Sequence, residues 1–143
     1  MKDRLTISSD LGHDGDGLVR YRIRAENADF RGSTLAWGSE IDAEKLADVL
    51  TGFPTTTPSS LEYQFGDSKS GECRLLFQTL DHVGHCCVWA TISEPYSFVV
   101  AGKFQSVLVC LTFTPASLDD FCAELRRFES GKDNEASLKS TEL

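Results

Sequence analysis

One stretch, residues 104–128, constrains the fold of this chain more than any other. In Gln105–Phe113 the residues Val107, Val109, Leu111 and Phe113 are apolar at every second position, with Leu108 and Cys110 between them. That is the pattern of a strand nearly buried on both faces. Thr114 and Pro115 end it, since threonine caps a helix and proline at the first helical position loses no needed N–H. A helix follows at once. Leu118, Phe121, Cys122, Leu125 and Phe128 fall at spacings of three and four and form one stripe, which Gly131 can terminate. This strand and this helix should pack on each other.

Further strands read from the same period. Leu5–Ile7 is a short candidate, and Val19, Tyr21, Ile23 and Ala25 alternate with Arg20, Arg22 and Arg24, giving a half-buried strand with an outer row of arginines. Asn27 and Asp29 mark a hairpin turn into a strand from Phe30 to Trp37, where Gly32 points to a bulge or a close backbone approach. A helix begins at Ser39 or Asp42, carries Leu46, Val49, Leu50 and Phe53, and closes at Gly52 and Pro54. Alternation around Leu61–Phe65, Cys73–Phe77 and Cys86–Ile92 gives three strands of a meander, and Glu94–Gly102 leads to the strand already described. The two helices follow their strands in similar ways, which suggests an internal duplication. The expected fold is α+β, a mostly antiparallel sheet of about six or seven strands with two helices packed on one face. Residues 1–130 form a single domain, and residues 131–143 read as a disordered polar tail.

Charge and cysteine content narrow the class. A chain of 143 residues with 41% hydrophobic content can build a real core. Its net charge of −8 argues against general nucleic-acid binding and suits either solubility or a basic protein partner, without choosing between them. No apolar run nears the ~20 residues that span a bilayer, so no membrane association is expected. No secretory signal is visible, and a cytoplasmic location follows. Cys73, Cys86, Cys87, Cys110 and Cys122 are odd in number and lack C-x-x-C spacing, which indicates reduced core thiols.

Four groups of residues merit a chemical reading. His82, His85, Cys86 and Cys87, with Cys73 on a neighbouring strand, are the densest set of metal-ligand types; alternation on a strand sends Cys86 and Cys87 to opposite faces, so no metal and no cofactor is expected. Asp14-Gly-Asp16-Gly17 opens like a calcium loop but lacks the later bidentate glutamate. Arg20, Arg22 and Arg24, extended by Arg31, could hold an anion or could pair with carboxylates such as Glu62 or Glu94. Asp119, Asp120 and Glu124 are the acidic counterpart at the start of the last helix, suited to a basic partner or to the positive helix end. No nucleophile elbow or phosphate loop is present in the sequence.

Several of these segments together resemble the immunity proteins of bacterial polymorphic and contact-dependent toxin systems, particularly those guarding against wall-associated nuclease toxins. The residues concerned are Phe30-Arg-Gly32 leading to Trp37, Leu46-x-x-Val-Leu50 with Phe53, Cys73-Arg-Leu-Leu-Phe77, Val83-Gly-His85 with Val88 and Ala90, and Thr112-Phe-Thr-Pro-Ala-Ser-Leu118 with Phe121 and Leu125. They are fold-pattern residues, and no chemical role carries over to any of them. The resemblance implies a non-catalytic protein that covers a basic toxin with an acidic surface. Two other readings stand beside it. One is a small-molecule or anion-binding domain, or an enzyme, using a face with Arg20, Arg22, Arg24, His85, Cys87 and Trp89. The other is a domain that dimerises through Leu76, Trp89 and Leu108.

Overall fold

The computed structural model describes residues 3–9, 17–56, 58–67, 70–95, 104–129 and 132–141. Among these, the chain runs through β1 (Arg4–Ser9), β2 (Leu18–Glu26), β3 (Arg31–Ser39), α1 (Asp42–Leu50), β4 (Ser60–Gly66), β5 (Glu72–Thr79), β6 (Cys86–Pro95), β7 (Phe104–Phe113), α2 (Pro115–Arg126) and β8 (Asn134–Lys139). The calcium-like residues Asp14 and Asp16 and the helix stop Gly131 lie outside the described residues.

The class is α+β and the pairing antiparallel, but the strands form two four-stranded sheets, ordered β3-β2-β1-β8 and β4-β5-β6-β7. A single sheet of six or seven strands is therefore corrected. The cause lies at β3, which does not pair with β4. It crosses the end of the second sheet instead. Ala36 sits against Gly66 of β4, Thr34 and Leu35 against Gly71 beside β5, Thr34 on Glu94 of β6, and Gly32 on Val107 of β7. Four residues of strand cover about 13 Å, and three gaps between neighbouring strands cover about 14 Å, so β3 runs nearly at right angles to the strands it meets. Glycine is required at the approach: a Cβ on Gly71 would run into the Leu35 carbonyl, and one on Gly32 into Val107. The β2–β3 register passes through Gly32 unbroken, so that glycine serves close approach and not a bulge.

The inner faces carry the core. Leu5, Ile7, Tyr21, Ile23 and Ala36 from the first sheet meet Phe65, Leu75, Phe77, Val88, Val109 and Phe113 from the second, all buried. Tyr21 tilts against Phe65 with ring centroids 5.3 Å apart, and Phe77 meets Phe113 edge-on at 6.1 Å. The helices lie against each other, with α2 along β8 and α1 touching β4, and so span the outer strand of one sheet to the outer strand of the other. Thr114 accepts the Ser117 N–H at 3.4 Å and Pro115 opens α2, as its sequence requires. Leu118, Phe121 and Leu125 are buried. In α1, Leu46 and Leu50 are buried, but Val49 is 44% exposed, because the stripe on this short helix is completed by Ala43 and Ala47.

Residues 134–139 are a strand and not a disordered tail, and the domain extends beyond residue 130. Only Ala136 and Leu138 are apolar in Asn-Glu-Ala-Ser-Leu-Lys, too little to announce a strand, yet both are buried. Pairing with β1 in full register, from Arg4 opposite Lys139 to Ser9 opposite Asn134, supplies what the side chains lack. With β8 in place the two sheets have like make-up, β8-β1-β2-β3 with α1 after β3 and β4-β5-β6-β7 with α2 after β7.

Two substitutions test this assembly in urea denaturation. Leu138→Ala should destabilise the protein by about 2–5 kcal/mol, the range for a buried leucine, whereas an exposed tail would register almost nothing. Gly71→Ala should cost about 1–3 kcal/mol through overpacking against backbone that cannot yield.

Candidate functional site

The β2–β3 hairpin sets the most distinctive surface. Asn27 N–H donates to the Phe30 carbonyl at 2.9 Å, and the Asn27 side-chain oxygen accepts from the N–H groups of Asp29 and Phe30. This turn fixes the register, placing Arg20 opposite Trp37, Arg22 opposite Leu35 and Arg24 opposite Ser33. On the other side Arg22 faces Ser8 and Arg24 faces Thr6. The Arg20 guanidinium lies 5.9 Å from the Trp37 ring centroid. Among the described residues neither Arg22 nor Arg24 forms an ion pair. The carboxylates expected to neutralise the row are engaged elsewhere: Glu94 accepts from the Thr34 hydroxyl at 3.0 Å, and Glu62 sits on β4 of the other sheet. Arg31 lies on the same face across the next strand, opposite Glu26.

A shared face of Arg20, Arg22, Arg24, His85, Cys87 and Trp89 does not form. The arginines project from the outer face of the first sheet, whereas Cys87 and Trp89 lie on the outer side of the second. The two sheets pack by their inner faces, so these outer surfaces point apart. His85 precedes β6, and its Nδ1 lies 2.5 Å from Asp81 Oδ2. The Asp81 carboxylate also accepts from the N–H groups of Val83 and His85. Desolvation raises the pKa of Asp81, but these bonds outweigh it and hold the carboxyl below its ordinary value. The arrangement braces a turn.

The five cysteines are free thiols. Cys86 points inward and donates to the Gly84 carbonyl at 3.4 Å, while Cys87 points outward and hydrogen bonds with Cys110. Among the described residues, no three His, Cys, Asp or Glu side chains converge as a metal site would require. Burial pushes the Cys73 thiol up to about 12 and the Cys110 thiol up to about 11. Neither is a ready nucleophile at neutral pH.

The acidic trio is divided by its duties. Glu124 Oε1 accepts the Ser137 N–H of β8 at 2.9 Å, so it protects an outer strand. Asp120 shares a groove with Glu124, Arg127 and Lys139, and Asp119 is exposed. Leu76 and Trp89, by contrast, stand directly opposite each other, with Leu108 on the next strand. Trp89 donates its indole N–H to Gln78 at 3.0 Å, and Leu108 is 51% exposed.

Sequence reasoning overlooked Leu35 and Trp37 as partners of the arginines. The signal was there: an Asn27–Phe30 turn makes every facing pair in the hairpin predictable. Compared with known proteins, the chain matches no family model, no curated protein and no solved structure. No helix among the described residues is long and apolar enough to cross a membrane.

The raised thiols lead to a pH test. Below pH 9 Cys73 is protonated whether the chain is folded or not; between 9 and about 12 the unfolded chain ionises it and the folded one does not. Stability should therefore fall as pH rises through that window, and Cys73→Ala should make the fall shallower by up to about 1.4 kcal/mol per pH unit. Urea midpoints across that range measure it, and equal slopes for both proteins would contradict the assignment.

Proposed function

We propose that this protein is a non-catalytic protein-binding module, immunity-protein-like, that receives a basic protein partner on its acidic side. The supporting observation is a segregation of charge. The outer face of the first sheet carries Arg4, Arg20, Arg22, Arg24, Arg31 and Lys139 against Glu26 and Glu135. Among the described residues, the remainder of the molecule carries far more carboxylates than cations. An excess of that size steers a basic partner toward the molecule, and a few well-packed contacts then set the affinity. Asp119 and Asp120 on α2 and Glu44 on α1 are exposed members of this acidic side.

A second reading, self-association, draws on the contiguity of Leu76, Trp89 and Leu108. Light scattering after size exclusion distinguishes the two, because a monomer at high concentration removes it.

For the first reading, the protein is used to capture its partner from lysate of its own cells at low and high salt. A basic partner is expected whose association rate drops about tenfold over that range, and Asp119→Asn with Asp120→Asn should slow association further at low salt. A captured partner that is acidic, or one indifferent to salt and to both substitutions, would overturn it.

A further inference from the structure

The outer face of the first sheet has no part in that reading, and its chemistry runs the other way. Six cations and two carboxylates on the strands of one face give a local excess of positive charge in a chain whose net charge is −8. Ion pairs account for only part of it: Arg4 Nε meets Glu26 at 3.3 Å, while Arg22 and Arg24 have no carboxylate partner among the described residues. Their neighbours across the strands are Ser8, Thr6 and Ser33, hydroxyls that can hydrogen bond to an anion but cannot neutralise an arginine. A strand face meant only to be solvated has no need to gather its cations here.

Next to the arginines, Trp37 is 50% exposed and Leu35 is half-buried, forming an apolar margin along β3. Across the face from Leu35, a shallow groove runs past Arg20, Arg22 and Ser8 to Asp133 and Glu135 at the β8 side. Arginine and tryptophan are the residue types that carry most of the energy in protein interfaces.

We infer that this face binds an extended acidic protein segment, whose carboxylates meet Arg22 and Arg24 while its apolar side chains lie on Leu35 and Trp37. Spacing supports an extended ligand. Arg22 and Arg24 are two residues apart on one strand, about 6.7 Å, which is also the repeat of same-side residues in any extended peptide. A peptide lying along β2 therefore presents alternate carboxylates to successive guanidinium groups, each able to make a bidentate pair. A nucleic-acid strand fits less well. The face offers one indole, already engaged with Arg20, where single-strand binders line up several stacking rings.

The test uses a fluorescent synthetic peptide of alternating glutamate and leucine, the same peptide with glutamine for glutamate, and a single-stranded oligonucleotide of equal charge, each titrated by anisotropy into the full chain. The acidic peptide should bind, with affinity falling as salt rises, and the glutamine peptide should bind at least about tenfold more weakly. Arg22→Gln with Arg24→Gln should cost about tenfold or more, the double lysine variant should recover only part of it, and Trp37→Ala should weaken binding several-fold. Because these side chains are exposed, the variants should keep the parent's melting temperature, and Asp119→Asn with Asp120→Asn should leave peptide binding unchanged. Equal binding of the glutamine peptide, insensitivity to the double arginine variant, or tighter binding of the oligonucleotide would each overturn the inference.

Discussion

The passage of β3 across the end of the second sheet is the contact on which the rest of the structure depends. Backbone meets backbone there, at Leu35 and Gly71, and no side chain of any size fits between. Because the crossing is nearly orthogonal, one strand closes off four, and the inner faces of both sheets are held at the separation their aromatic side chains fill. It also decides what lies outside. With β3 committed to the crossing, its alternate residues Leu35 and Trp37 must face away from the core, beside the arginines of β2.

Most of the elements were legible in the sequence, because each announces itself through local chemistry. The alternation of Val19–Ala25, the Thr114-Pro115 cap and the stripe from Leu118 to Leu125 involve residues close together in the chain, and the structure places them as their pattern requires. The division into two sheets was not legible. Nothing local distinguishes a β3 that joins its successor from one that turns beneath it; the difference lies in Gly71, whose missing side chain makes room for Thr34 and Leu35 of a strand distant in sequence. The strand β8 was hidden for a related reason. Its two buried side chains are sufficient once β1 provides a ladder, and insufficient as a pattern on their own.

The surface followed the same division. That Arg20, Arg22 and Arg24 share a side follows from period two alone, and their neighbours across the hairpin follow from one turn. That His85, Cys87 and Trp89 lie on another side of the molecule required the sheet arrangement. Similarly, α2 gave Asp119, Asp120 and Glu124 as equals, and only the proximity of β8 set Glu124 apart as the acceptor of a backbone N–H. Carboxylates of one helix thus acquired separate duties, one holding a strand edge and the others exposed.

The pairing of β8 with β1 has a consequence for how the chain reaches this state. Thr6 and Ser137 touch across 131 residues of sequence. The second meander can assemble from contiguous chain, but the first lacks its outer strand until the far segment has been synthesised. During translation β1 therefore waits with one ladder open, while the β4–β7 half is free to order first. High contact order of this kind slows folding, and the exposed side of β1 is an invitation to pair with another nascent chain. Arg4, Thr6 and Ser8 alternate along β1 with its buried residues, and charged and polar side chains on an open strand disfavour such pairing.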